Sequence, residues 1–300
     1  MGGPIVECVP NVSEGRDWSV LDRIAGAVRS VRGVTLADIH ADSDHHRSVF
    51  TILGPPPDVE SAALAAAEAA LGAIDMQRHR GFHPRIGAVD VLPFIPLCSA
   101  AMGEVVALAH RVGETLGARW ALPVYFYGEA ALDPERRRLS EIRRGGYEQI
   151  EARLAVFPPD AGVARFNARS GGAAVGAREI LVAYNVWLGS DDLAVARAIA
   201  RTVRESSGGL PGVEAMGVPL PSRGCVQVSM NLLDYRRTPL PLLFERVRGE
   251  AARLGVGVRR AELVGLAPRQ AFAGEPPERA GLPEFTPGKL LESYLPGERL

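Results

Sequence analysis

Apolar positions along the chain fall into two kinds of block. Short continuous or alternating runs have the period of strands, and longer stretches with apolar residues three and four apart have the period of helices. "IVECVPNV" at 5–12 reads as a buried strand and 17–31 as a helix that Asp17 is placed to cap. "GVTLADIH" at 33–40 and "RSVFTILG" at 47–54 read as two further strands. Proline punctuation then opens an alanine-rich helix at 58–75, and "AVDVLPFIPL" at 88–97 is a strand. The order to this point is β-α-β-β-α-β.

A helix near 102–117, a strand at 122–130 and an arginine-rich connector from 132 to 150 follow. The stretch 157–178 is rich in glycine and proline, has little periodicity, and reads as a junction loop. A strand at 178–188, a helix at 191–206, strands at 212–220 and 224–234, a helix at 239–255 and a strand at 259–268 then repeat the first order. The repeat lies in the elements, since the residues themselves do not repeat. It predicts an α+β protein of two ferredoxin-like subdomains packed side by side, 1–177 with the connector and 178–300.

Composition narrows the function classes. With 47% hydrophobic and 23% charged residues the chain has the make-up of a soluble globular protein. A net charge of −1 gives no footing for nucleic acid or membrane. No apolar run has the length of a membrane span, and no secretory leader is expected at the N-terminus. Three scattered cysteines, an odd number, argue against a disulfide framework and fit the cytoplasm. Lys289 is the only lysine, so the many arginines look like the bias of G+C-rich coding.

Five of the six histidines (His40, His45, His46, His79, His83) lie between 40 and 83. In "RHRGFHPRIGAVDV", Pro84 pushes His83 toward extended backbone at the mouth of a strand, a position suited to an acid–base side chain. "DIHADSDHHRS" adds Asp38, Asp42 and Asp44. That cluster is open to three readings: a metal site, a substrate-binding loop or a solvated turn. Its spacing matches no HExxH pattern. "SGGAAVGAR" at 170–178 lacks the Gly-Lys-Ser/Thr of a phosphate loop, and no GxSxG elbow supports an acyl-enzyme.

"VECVPNVSEGRD", "HHRSVFTILGPP", "HPRIGAVDVLPFIP", "VYFYGEAA", "GAREILVAYNVWL" and "QVSMNLLDYRRTPL" follow one another in one order. This series resembles the glutamate formimidoyltransferases, a family that includes the N-terminal part of formimidoyltransferase-cyclodeaminase. The resemblance runs from Ile5 to "LLESYLP" near the C-terminus. It implies transfer of a formimidoyl group from N-formimidoyl-L-glutamate to N5 of tetrahydrofolate, a step of histidine degradation that yields 5-formimidoyltetrahydrofolate and L-glutamate. It also implies two similar α/β subdomains with the active site in a channel between them, and a homodimer.

On the same ground His83, in the "HPR" motif, is the expected catalytic residue. The folate-contacting segments are expected at Gly162 to Gly171 and Gly208 to Gly217. Arg47, Arg85 and Arg178 lie inside family motifs and are the candidates for pairing the carboxylates of donor and folate. Tetrahydrofolate is expected as co-substrate, and no metal. Relatives often have asparagine where this chain has His46, and some have an acidic residue in place of His40. Both sit in the loop expected to line the site and are candidate substrate-binding residues; with these departures, N-formylglutamate or formimidoylglycine remain open as donors. Two other classes stay open: a metal-dependent hydrolase of the same C–N bond, and a folate-binding protein without turnover.

Overall fold

The computed structural model describes residues 3–298. Met1, Gly2, Arg299 and Leu300, which fall within the expected ranges 1–177 and 178–300, lie outside the described residues. The chain is an α+β protein with two sheets, one in each of two compact units, Met1–Glu179 and Ile180–Leu300.

The first unit runs β1 (Ile5–Cys8), β2 (Asn11–Val12), α1 (Trp18–Arg29), β3 (Thr35–Asp42), β4 (Arg47–Gly54), α2 (Pro56–Ala73) and β5 (Val89–Leu97). It continues with α3 (Met102–Trp120), β6 (Val124–Gly128), the short α4 (Leu139–Ile142) and α5 (Ile150–Arg153), and β7 (Ala173–Ala177). The expected strand at 5–12 is two pieces in line, because Pro10 has no N–H to give the ladder. Both pieces lie between β4 and β5 and are antiparallel to each. β3 pairs with the other edge of β4. β7 and β6 extend the sheet beyond β5 as parallel neighbours.

Helices α1, α2 and α3 cover one face of this sheet. Leu21, Ile24, Ala63, Ala67, Leu108 and Val112 pack there against Val6, Cys8, Phe50, Ile52, Leu92 and Phe94. Each Leu, Ile, Val or Phe side chain among them contributes about 1.5–3 kcal/mol by leaving water, and the alanines less. The strand β7 corrects the reading of 157–178 as a structureless junction. Its residues, AAVGA, offer only Val175 as a branched side chain and no aromatic one, yet all five are buried between two parallel neighbours. A Cβ at Gly176 would meet the ring of Tyr127 on β6 at 2.5 Å, so the small side chain is what the packing requires.

The second unit runs β8 (Val182–Leu188), α6 (Leu193–Val203), β9 (Val213–Leu220), β10 (Cys225–Leu232), α7 (Leu240–Arg253) and β11 (Val258–Val264). Its strands form an antiparallel sheet ordered β11-β8-β10-β9. α6 and α7 bury Ile199, Val203, Leu243 and Val247 against Tyr184, Val186, Val226 and Val228. Short 3₁₀ turns occupy much of 269–298. Among the described residues no helix is long and apolar enough to cross a membrane.

Candidate active site

Strand alternation decides what the first sheet presents away from its helices. Phe50 and Ile52 point into the core, so Arg47, Val49 and Thr51 on β4 take the opposite face. Their cross-strand partners on β3 are Asp42, His40 and Asp38. Glu7 and Asn11 share this face from β1 and β2. On β5 the pairing Asn11 with Val91 and Val12 with Val89 leaves Asp90 as the extra residue of a bulge. Such bulges re-aim a side chain, and this one carries a carboxylate buried to 0% exposure.

His83 stands in the loop that enters β5 and is half-buried. Its Nδ1 lies 2.8 Å from the carbonyl oxygen of Pro84. A carbonyl only accepts, so in the neutral ring Nδ1 carries the hydrogen and Nε2 keeps its lone pair. Burial, and after it the charges of Arg47, Arg143 and His45, hold His83 well below the usual imidazole value. The ring of His45 lies 5.3 Å from that of His83. The geometry thus presents a neutral imidazole with one basic nitrogen.

Two guanidiniums converge beside it. Arg47 donates from one nitrogen to Asp90 Oδ2 and from another to Asn11 Oδ1 at 2.6 Å. Arg143, at the end of α4, donates to the same Asp90 oxygen. The other oxygen of Asp90 accepts the Ile86 N–H at 2.9 Å. Burial alone would raise the Asp90 carboxyl, but Arg143 and Arg47 outweigh it and lower it. Burial, then the repulsion of Arg143, brings Arg47 down to about 10.

Arg85 is engaged elsewhere. Its two terminal nitrogens form a fork on Glu148, at 2.9 and 2.6 Å, and its Nε donates to His79 Nδ1 at 3.1 Å. His79 in turn lies 2.7 Å from the His46 carbonyl oxygen, and the His46 and His79 rings stack at 4.3 Å. His46, with φ of +50°, places Nδ1 3.1 Å from the Arg80 carbonyl and Nε2 3.1 Å from Glu14 Oε1. That same Glu14 oxygen accepts the N–H groups of Gly15, Arg16 and Asp17. His40 is half-buried on β3 opposite Val49.

Arg178 follows β7 and faces Glu7. Its guanidinium donates to the Glu179 carbonyl at 2.9 Å and shares a hydrogen bond with Tyr127. Burial raises Glu7 to about 7, against the opposing pull of Arg178.

The expected folate segments separate by unit. Gly171, with φ of +71°, interlocks with Gly87: a Cβ on either would run into the other's loop backbone. Gly172 N–H donates to Ile86 at 3.0 Å, Ala88 N–H to Ser170 at 2.9 Å, and Ser13 Oγ to Gly87 at 2.7 Å. Two other sequence motifs, at Ser13 and at 170–172, therefore brace the segment that leads from His83 into β5. Gly162 lies against the backbone of α3 at Gly117. In the second unit Gly208 closes a 3₁₀ turn, and Gly217 on β9 lets α6 approach.

Asp90, Asn11, Arg143, Glu7 and Tyr127 escaped the sequence reading. Asp90 and Glu7 had a signal, a charge inside an apolar run. Arg143 had none, being one arginine in an arginine-rich connector. Among the described residues no group of three His, Cys, Asp or Glu side chains is arranged to hold a metal ion.

The sequence model for the formiminotransferase domain, N-terminal subdomain, matches residues 5–178, and that for the formiminotransferase domain matches 183–275. The chain is 38% identical over 296 residues to a glutamate formimidoyltransferase of Streptococcus pyogenes serotype M1, covering 98% of this chain and 99% of that one. It is 40% identical over 295 residues to a glutamate formimidoyltransferase of Thermoplasma acidophilum, covering 97% of each. A formimidoyltransferase-cyclodeaminase of Sus scrofa is 42% identical over 276 residues, which are 89% of this chain and 51% of that protein. With both units matched in order and nearly the whole length aligned, the chain belongs to the formiminotransferase family.

Proposed function

We propose that the protein transfers the formimidoyl group of N-formimidoyl-L-glutamate to N5 of tetrahydrofolate and releases L-glutamate, with His83 as the proton shuttle. The observation that carries the mechanism is the neutral His83 ring, with Nδ1 committed to Pro84 and Nε2 basic, beside Arg47 and Arg143. The family and the full-length relatives named glutamate formimidoyltransferase support the reaction.

In this reading the N5 lone pair forms a bond to the amidine carbon, and the C=N π pair moves onto nitrogen. His83 Nε2 takes the proton that N5 must lose. The resulting imidazolium, pressed by two guanidiniums, is a strong acid and passes the proton to the amino nitrogen of glutamate. The pair held on the amidine nitrogen re-forms C=N as the C–N bond to glutamate breaks, its electrons leaving with the glutamate nitrogen, and His83 is neutral again. Such acid–base help contributes about 10²–10⁴-fold.

Arg47 supplies positive charge for a substrate carboxylate, and Arg85, tied to Glu148 and His79, braces the loop. Arg178, His40 and His46 are the remaining candidates for substrate contact. The segments Gly162 to Gly171 and Gly208 to Gly217 are assigned to folate, as co-substrate. Both units are read as ferredoxin-like; β-α-β-β-α-β order and strand orders β5-β1-β4-β3 and β11-β8-β10-β9 support it. A cytoplasmic homodimer completes the proposal.

The test is turnover by purified, chelator-treated protein, following glutamate release and the acid-generated methenyl-folate chromophore. Folate-dependent release with the chromophore is expected. Release without folate would overturn the reading in favour of a hydrolase.

A further inference from the structure

Charge around Asp90 does not balance. One carboxylate serves two guanidiniums, Arg47 and Arg143, which leaves a surplus positive charge where both side chains are only 13% exposed. Hydrogen bonding is also incomplete. A guanidinium has five N–H donors. Arg47 spends donors on Asp90 and Asn11, whereas Arg143 has Asp90 as its side-chain hydrogen-bond acceptor. The buried Nε of Arg143 has no hydrogen-bond partner. A buried donor without an acceptor is unfavourable, and a buried cation without its counter-charge more so. Both deficits are met by one kind of ligand, an anion with paired oxygens.

The connector holds Arg143 ready for it. Arg153 donates to the carbonyls of Glu141, Ile142 and Arg144, and the Gly146 N–H donates to the Arg143 carbonyl at 2.8 Å. The backbone that carries Arg143 is thereby fixed before any ligand arrives. The other arginines near the site are committed differently, Arg85 to Glu148 and Arg178 to Glu179 and Tyr127.

We propose that Arg143, with Arg47, forms the subsite for a carboxylate of the donor's glutamyl part, both guanidiniums resting on Asp90. The assignment of that carboxylate to a glutamate derivative rests on the formimidoyltransfer reading. Arginine serves there better than lysine, because a planar fork meets two oxygens and a lysine ammonium meets one. The subsite selects for a carboxylate over the matching amide, which would place N–H against N–H.

The test compares wild type with Arg143→Gln and Arg143→Lys, using L-glutamate as the probe in calorimetry and the donor in turnover. Arg143→Gln is expected to weaken glutamate binding and raise the donor KM by about 10–100-fold, with a smaller change in the folate KM. Arg143→Lys is expected to recover part of the loss. Donors amidated at the α- or γ-carboxylate supply the second arm. One of them is expected to lower wild type to the level of Arg143→Gln while leaving that variant little changed, because contacting partners are not additive. Equal glutamate affinity in wild type and both variants, or equal losses on amidation in wild type and Arg143→Gln, would overturn the proposal. Should Arg143→Gln fail to fold, Arg143→Lys and the amidated donors carry the comparison alone. Glutamate binding needs no folate, so a wild type that binds glutamate through Arg143 but shows no transfer would sink the proposed reaction and not the subsite.

Discussion

Arg85 donates from Nε to Nδ1 of His79, and this contact settles how His79 is protonated. The other ring nitrogen lies 2.7 Å from the His46 carbonyl, which only accepts, so His79 carries its hydrogen on Nε2 and is neutral. A second proton would have to displace Arg85. Burial, followed by the nearby charges of His46 and Arg85, lowers His79 to about 4. The unfolded chain takes up a proton near pH 6.5, the folded chain only near 4, so the unfolded state binds more protons between them. The stability that depends on neutral His79 is complete above 6.5 and is lost as pH falls from 6.5 to 4. We expect a loss of roughly 3 kcal/mol over that window, flattened in His79→Gln, by urea titration at each pH.

His83→Ala is expected to lower kcat by about 10²–10⁴-fold with the fold intact. Because burial, Arg47 and Arg143 hold the His83 ring low, kcat/KM of the wild type should stay level as pH drops through 6.5. Arg143→Gln removes one of those charges and should move the acid limb upward. A wild-type limb centred near 6.5 would contradict the environment described for His83.

Glu7 has the opposite sign. Burial raises its carboxyl to about 7, so the folded chain keeps a proton that the unfolded chain releases near 4.5. Stability is then lost as pH rises from 4.5 to 7. Glu7→Gln should be more stable than wild type at pH 8 by a margin on the order of 2–3 kcal/mol larger than at pH 4.5. Thermal melts of the two proteins at both values check this.

At Glu14, burial works to raise the carboxyl, but the His46 hydrogen bond and the N–H groups of Asp17 and Arg16 prevail and bring it to about 2. This contribution is present above 4.5 and lost as pH falls from 4.5 to 2. Glu14→Ala is expected to cost about 2 kcal/mol at pH 7, narrowing toward pH 2. A difference that persists unchanged at pH 2 would mean that packing, not charge, holds the turn.

Much of the fold was legible because strand and helix periods survive in single segments. β4 lies at 47–54 as expected, and both β-α-β-β-α-β orders appear. β7 was invisible because AAVGA is short and mostly alanine and glycine, poor strand formers, and its two parallel neighbours make it a strand. His83 could be singled out from Pro84 and from the family motif. Its electrostatic setting could not, since Asp90 and Arg143 are 53 residues apart and meet through tertiary folding. Arginine abundance hid Arg143 further. Glycine at 87 and 171 does not show in sequence which backbone it admits, and here each is where two backbones touch.

Residues 38, 40 and 42 on β3 face 51, 49 and 47 on β4, and a four-residue turn, 43–46, joins the two strands. Inserting a single residue that shifts this pairing by one place would carry Arg47 to the helix side and bring a neighbour, His46 or Ser48, into its position. Length variation in that hairpin should therefore be inherited in steps that preserve odd and even, while loops away from the sheet face drift freely. Of the two strands, it is the tally of residues between them, more than their chemistry, that natural selection must guard.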